Sequence, residues 1–142
     1  MRKLHKILLV DDDEINNYLN TTILKDLDIA ETISVALNGK QALEYLLDHC
    51  DQPARTCPEL VIFDHHMPVM DGLEMIRTLH EKGFMQRANM VFLLLGIRAK
   101  QEVIEEFLRL GVQEFTDKPL EEQTVLEAYH KYWRGDTAQE HV

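Results

Sequence analysis

The segment Val61–Gly72, VIFDHHMPVMDG, ends an apolar run on a single aspartate and then turns. A run of apolar residues without alternation reads as a strand buried on both faces, the habit of a parallel sheet. Met67-Pro68 and Asp71-Gly72 are turn signals, and the residues after Gly72 fall into helical spacing. A strand that ends on a carboxylate and hands over to a loop and a helix is one unit of an alternating architecture. The question is what other charge the chain brings to the same place.

Working outward, the same unit recurs. Ile7–Val10 is a short apolar run bounded by charge, followed by a helix to about Leu27 with Ile15, Leu19 and Ile23 at helical spacing. Asp13 caps that helix. Thr32–Ala36 is a weaker strand, Asn38-Gly39 a turn, and Gln41–His49 a helix with Ala42, Leu43, Leu46 and Leu47 as its stripe. Leu60–Phe63 is the third strand. The helix opened by Asp71-Gly72 turns Leu73, Ile76 and Leu79 inward and has Gly83 after its end. Met90–Leu95 is the fourth strand, Lys100–Leu110 a helix stopped by Gly111, Glu114–Thr116 a short fifth strand, and Glu121 to about Trp133 the last helix. Residues 134–142, RGDTAQEHV, are polar and unpatterned, and are expected to be a disordered tail after a domain spanning 1–133. Five strand–helix alternations predict a parallel α/β sheet with helices on both faces.

The length, 142 residues, suits one core, and 45% hydrophobic residues suit a folded domain. A formal net charge of −10 argues against non-specific binding to nucleic acid or to anionic membranes. The N-terminal apolar run is too short for a signal segment or a membrane span, and a cytoplasmic protein is the expectation. Cys50 and Cys57 lie in one polar segment without metal-ligand spacing. A disulfide between them is feasible, but two free thiols are the expectation for that compartment.

In open parallel sheets ligands sit outside the carboxyl ends of the strands. There the first strand ends in Asp11-Asp12-Asp13, the third in Asp64, the fourth near Leu95-Gly96, and the fifth just before Lys118. Clustered carboxylates repel unless something offsets them, and Mg²⁺, which favours carboxylate and carbonyl oxygens and shares phosphate oxygens, is the simplest remedy. A metal and a lysine together suit a transferring phosphoryl group, whose charge spreads over its oxygens. Asp64 is then the nucleophile.

Taken in order, ILLVDDD, LVIFDHHMPVMDG and EFTDKPL make the chain resemble a response-regulator receiver domain of two-component signalling, over roughly Lys6 to Trp133. The resemblance implies a flavodoxin-like five-stranded parallel sheet of order 2-1-3-4-5. It implies that Asp64 is the phosphoacceptor, that Asp12 and Asp64 bind Mg²⁺ (or Mn²⁺) with help from Asp11, and that His66 contributes its backbone carbonyl. Lys118 would pair with the phosphoryl group, the Lys118-Pro119 peptide would be cis, and Phe115 would be the aromatic switch residue. The implied partners are a sensor histidine kinase or phosphotransfer protein and a downstream protein target met on the fourth helix, fifth strand and fifth helix. With the chain ending soon after the last helix, a stand-alone regulator rather than an enzyme is expected.

One departure stands out. Receivers carry Thr or Ser at the end of the fourth strand, and its hydroxyl bonds the phosphoryl group. Here the segment is VFLLLGIRAK, and the family's usual spacing from Gly111 and Lys118 lands on Gly96, with Leu95 one residue away. Neither has a hydroxyl, which leaves the backbone N–H of Gly96 or Ile97 as a substitute donor. One hydrogen bond to a charged group is worth about 1.5–3 kcal/mol. That matches a whole allosteric coupling of about 1–3 kcal/mol, so switching is expected to be atypical. A phosphorylation-independent interaction module on the same fold is the alternative. A haloacid-dehalogenase-type phosphatase would need a second acid two residues after the nucleophile, where this chain has His66.

Simpler roles are expected for other residues. His65-His66, pointing to opposite sides of an extended segment, do not make a zinc site. Met67, Met70, Met75 and Met90 fill packing gaps. Phe115 on a short strand suits the core as well as a switch, and Tyr129, Tyr132 and Trp133 form the inner face and end of the last helix.

Overall fold

Each apolar run becomes a strand and each amphipathic stretch between them a helix. The computed structural model describes residues 3–50, 57–86, 90–96 and 100–140, with side chains through residue 133. The elements run β1 (Leu4–Val10), α1 (Glu14–Leu27), β2 (Ala30–Ala36), α2 (Gly39–Cys50), β3 (Leu60–Phe63), α3 (Gly72–Glu81), β4 (Val91–Leu95), α4 (Gln101–Leu110), β5 (Glu114–Thr116) and α5 (Glu122–Glu140). The sheet is parallel throughout, in the order β2-β1-β3-β4-β5.

Register sets the position of the site. Val10 lies level with Ala36 and Phe63, Phe63 with Leu94, and Leu95 with Thr116. The next residues along the chain, Asp11, Asp64, Gly96 and Asp117, therefore emerge on one edge.

The sheet separates two cores. On β3, Val61 and Phe63 point into a core with α2, α3 and α4, while Leu60 and Ile62 point into the core under α1 and α5. All four are at most 1% exposed, so the strand is buried on both faces. Burying each such side chain contributes about 1.5–3 kcal/mol. Phe63 meets Phe92 edge-on and Phe107 at a tilt, which fixes β3 against β4 and α4.

Three expectations need correction. The α1 stripe Ile15, Leu19 and Ile23 does not form the helix's buried face, which carries Asn17, Asn20 and Leu24. Ile15 is 71% and Leu19 53% exposed. Periodicity finds a stripe but does not say which way it points, and here β1's end requires polar donors beneath the helix. Second, α5 runs to Glu140, beyond the helix end expected near Trp133, because once a helix is nucleated each further residue adds a hydrogen bond. Third, Cys50 and Cys57 form a disulfide rather than two free thiols. The end of α2 brings their Cα atoms to 4.7 Å, within bridging distance.

Candidate functional site

The carboxyl edge of the sheet holds the site. Asp11 continues the β1–β2 ladder, its N–H donating to the Ala36 carbonyl at 3.1 Å, and Asp64 continues β1–β3, donating to Val10 at 3.0 Å. Backbone pairing thus fixes both aspartates before their side chains engage.

Asp11 is buried and supported by the start of α1. Its Oδ1 accepts the Asp13 N–H at 3.0 Å, and the Asn17 side-chain amide donates to its carbonyl at 2.8 Å. Asp13 caps α1, accepting from the N–H groups of Ile15 and Asn16. Asn16 and Asn17 were missed in the sequence; their signal is two amides in the first turn after an acidic strand end.

Asp64 is held on the other side by its loop. Its Oδ1 accepts the His65 N–H at 2.7 Å, and the Gly72 N–H donates to the His65 carbonyl at 2.8 Å. A Cβ at Gly72 would lie 2.8 Å from the Asp64 carbonyl, so glycine is required for α3 to start this close to Asp64. Asp71 caps α3 by accepting the Glu74 N–H at 2.9 Å.

Lys118, after β5, reaches across β4. Its Nζ donates to Asp64 Oδ2 at 3.0 Å and lies 3.7 Å from Asp11 Oδ2. Burial works against the ammonium, but the hydrogen bond to Asp64 and the charges of Asp64, Asp11 and Asp12 outweigh it and raise its pKa. Burial raises the Asp11 pKa, and the Asp13 N–H and Lys118 offset part of this. The Lys118-Pro119 peptide is cis, as expected.

Asp11, Asp12 and Asp64 place one carboxylate oxygen each within 4.8 Å of one another. The donor set fits a hard cation: all oxygen and crowded, with Asp12 exposed so that coordination positions stay open to water. The cluster can hold a metal ion. The imidazoles of His65 and His66 are not part of it. His65 is buried edge-on against Phe107, ring centroids 5.4 Å apart, and His66 lines a cleft of about 330 Å³ with Asp64, Gly96, Asp117 and Lys118. Asp117 in that wall was also missed; its signal was only its place before Lys118.

Gly96 occupies the position that the spacing assigned to it. A Cβ built there would lie 3.7 Å from Asp64 Oδ1 and 3.8 Å from Lys118 Cε. Its φ is +108°, a conformation that side chains avoid. Its N–H donates to the Thr116 carbonyl at 2.6 Å, so this group is not a spare donor for an anion. The other backbone substitute, Ile97, lies outside the described residues. Phe115 is half-buried and packs against the α2–α4 core.

Residues 7–130 match the family model described as the response regulator receiver domain. The two-component response regulator ORR41 of Oryza sativa subsp. japonica is 30% identical over 122 residues, covering 86% of this chain and 89% of that protein. The hybrid signal transduction histidine kinase A of Dictyostelium discoideum is 31% identical over 133 residues, 92% of this chain and 6% of the kinase. The chain thus spans most of the rice regulator and a small part of the kinase. Among solved structures, a two-component response regulator from Cytophaga hutchinsonii superposes with a TM-score of 0.80 at 27% identity, covering 94% of this chain and 99% of that one.

Proposed function

The chain belongs to the response regulator receiver domain family, and on that premise we propose that Asp64 accepts a phosphoryl group from a histidine kinase or a phosphotransfer protein. The observation that carries this reading is the Lys118–Asp64 pair beside Asp11 and Asp12. An Asp64 carboxylate oxygen attacks phosphorus, the bond to the donor imidazole breaks, and the imidazole leaves. Lys118 moves its charge from the carboxylate to the phosphoryl oxygens. Mg²⁺ or Mn²⁺, held by Asp11, Asp12, Asp64 and the His66 carbonyl, would supply further neutralisation of those oxygens.

Output runs through protein contacts. Exposed Ile15 and Leu19 offer a donor an apolar footing near the acceptor, and the α4–β5–α5 face is assigned to a downstream target. No helix among the described residues is long and apolar enough to cross a membrane, and we assign the protein to the cytoplasm, where its donors work.

Gly96 favours a second reading. With no hydroxyl, and with its N–H bonded to Thr116, Gly96 offers no donor to draw the β4 end toward the phosphoryl group. A receiver fold that binds partners without phosphorylation would need none. Acetyl phosphate with Mg²⁺, read by intact mass, separates the two. A phosphoryl adduct on the wild type and none on Asp64→Asn supports the acceptor. No adduct, with a kinase donor also failing, leaves the interaction module.

A further inference from the structure

A groove of about 330 Å³ lies between α1 and the edge strand β2. Glu14, Asn17, Tyr18 and Thr21 recur at helical spacing and form its α1 wall, on a different face of the helix from Leu19. Val35 and Leu37 form the wall opposite. Tyr18 is 72% and Val35 45% exposed. One polar group lies at depth. Asn17 is 5% exposed, and its Oδ1 is buried with no hydrogen-bond partner among the described residues. The other half of that amide is engaged: Nδ2 donates to the Asp11 carbonyl at 2.8 Å, which holds Oδ1 on the opposite side of the amide from Asp11. A buried acceptor left bare is destabilising, and native structures satisfy nearly all of theirs.

We infer that this groove binds a small aromatic cation that carries N–H donors, of the aryl-guanidinium class. Glu14 brings an exposed carboxylate and Asn17 Oδ1 is an acceptor, while no basic side chain among the described residues lines the groove. Such a lining selects a donor that is also positively charged. A guanidinium is all donor, and its planar face stacks on an aromatic ring. Tyr18 supplies that ring, and Val35 and Leu37 supply surface for an apolar body. The volume lies at the low end of small-molecule sites, about 300–1,000 Å³, which suits one ring and its charged head. Oδ1 is covered by its surroundings, so the head reaches it by displacing an exposed wall side chain. The same amide holds the Asp11 carbonyl, which joins the groove to the acidic cluster. Binding itself does not depend on the phosphoryl reading.

Phenylguanidinium is the probe; phenyltrimethylammonium, equally cationic but without N–H groups, is its control. The unphosphorylated full chain is titrated by ¹H–¹⁵N NMR in excess Mg²⁺, so that the acidic cluster does not compete. Saturable shifts are expected at Glu14, Tyr18 and Val35. The expected dissociation constant for the probe is below about 1 mM, and the control binds about tenfold more weakly. Asn17→Leu brings the two compounds to equal affinity, and Glu14→Gln weakens both about two- to fivefold. Val35→Lys, at an exposed position on the edge strand, places a cation in the groove and abolishes binding of both. A blocked glycyl-arginyl-glycine peptide carries the same head without the ring and is expected to bind about tenfold more weakly than the probe. The proposal is overturned by an absence of saturable shifts at millimolar probe, by shifts confined to Asp11, Asp12 and Asp64, or by an N–H preference that survives Asn17→Leu. A peptide as tight as the probe overturns it too, in favour of a partner's arginine. Should Asn17→Leu fail to fold, Val35→Lys still decides, because binding that survives it places the ligand elsewhere.

Discussion

Lys118 Nζ lies 3.0 Å from Asp64 Oδ2, although the strands they follow, β5 and β3, are separated by β4. The lysine crosses over a strand end where Gly96 has no side chain to obstruct it. It is the cation that offsets the crowded carboxylates. Lys118→Met should therefore lower stability by about 1.5–3 kcal/mol in metal-free buffer, the worth of a hydrogen bond to a charged group. Mg²⁺ should raise Tm in the wild type, with about 1.4 kcal/mol gained at ten times its Kd. In Lys118→Met it should restore part of the loss. Calorimetry with and without Mg²⁺ checks both; unchanged melting in every condition would show that neither the pair nor the metal is assembled.

Gly96 tests backbone against chemistry. Space for a Cβ exists, because its nearest neighbours would stand at ordinary contact distance. The φ of +108° is the obstacle. Gly96→Ser is expected to cost about 1–3 kcal/mol in urea unfolding despite the room available. A neutral result would mean that the segment relaxes freely to negative φ.

His65 gives the protein a pH signature. Burial pushes its imidazole below the ordinary 6.5, and its Nδ1 has no hydrogen-bond partner among the described residues. The unfolded chain takes up this proton near pH 6.5 and the folded chain only at lower pH. The contribution to stability is therefore complete above pH 6.5 and is lost as pH falls through the folded pKa. His65→Leu, which keeps an apolar contact to Phe107, should flatten the stability profile on the acid side of pH 6.5. Chemical denaturation of both proteins across that window decides it; parallel profiles would assign the slope to other histidines.

The Cys50–Cys57 bridge closes a short loop, with a sequence separation of 7. Chain entropy assigns such a loop about 2–3 kcal/mol. Melting with and without a phosphine reductant should show that loss, and a Cys50→Ser, Cys57→Ser variant should match the reduced wild type. Cytosolic thiols are ordinarily kept reduced. The reduced form is therefore the one to compare with the oxidised form in the phosphorylation assay.

Much of this molecule was legible in the chain. Leu60–Phe63 and Glu114–Thr116 were bounded to the residue, because runs flanked by turn residues leave little freedom. The sheet order followed from the family resemblance, and the aspartates met as the strand-end rule requires. What remained hidden depended on direction rather than on pattern. The outward face of Ile15 and Leu19, the amides of Asn16 and Asn17 beneath Asp11, and the bond from Gly96 to Thr116 are facts of orientation, which one-dimensional spacing does not encode. The disulfide was misjudged because the expected compartment outweighed the proximity of the two cysteines.

The left-handed backbone at Gly96 also bears on ancestry. The N–H of Gly96 makes the β4–β5 ladder bond to the carbonyl of Thr116 while its φ stays positive. Restoring a hydroxyl-bearing residue then demands two events, a codon change and a shift to negative φ, and the first without the second is penalised. The step from hydroxyl to glycine is short; the step back is not, so the loss works as a ratchet. Descendants of such a chain would find new ways to signal more readily than they would recover the old one.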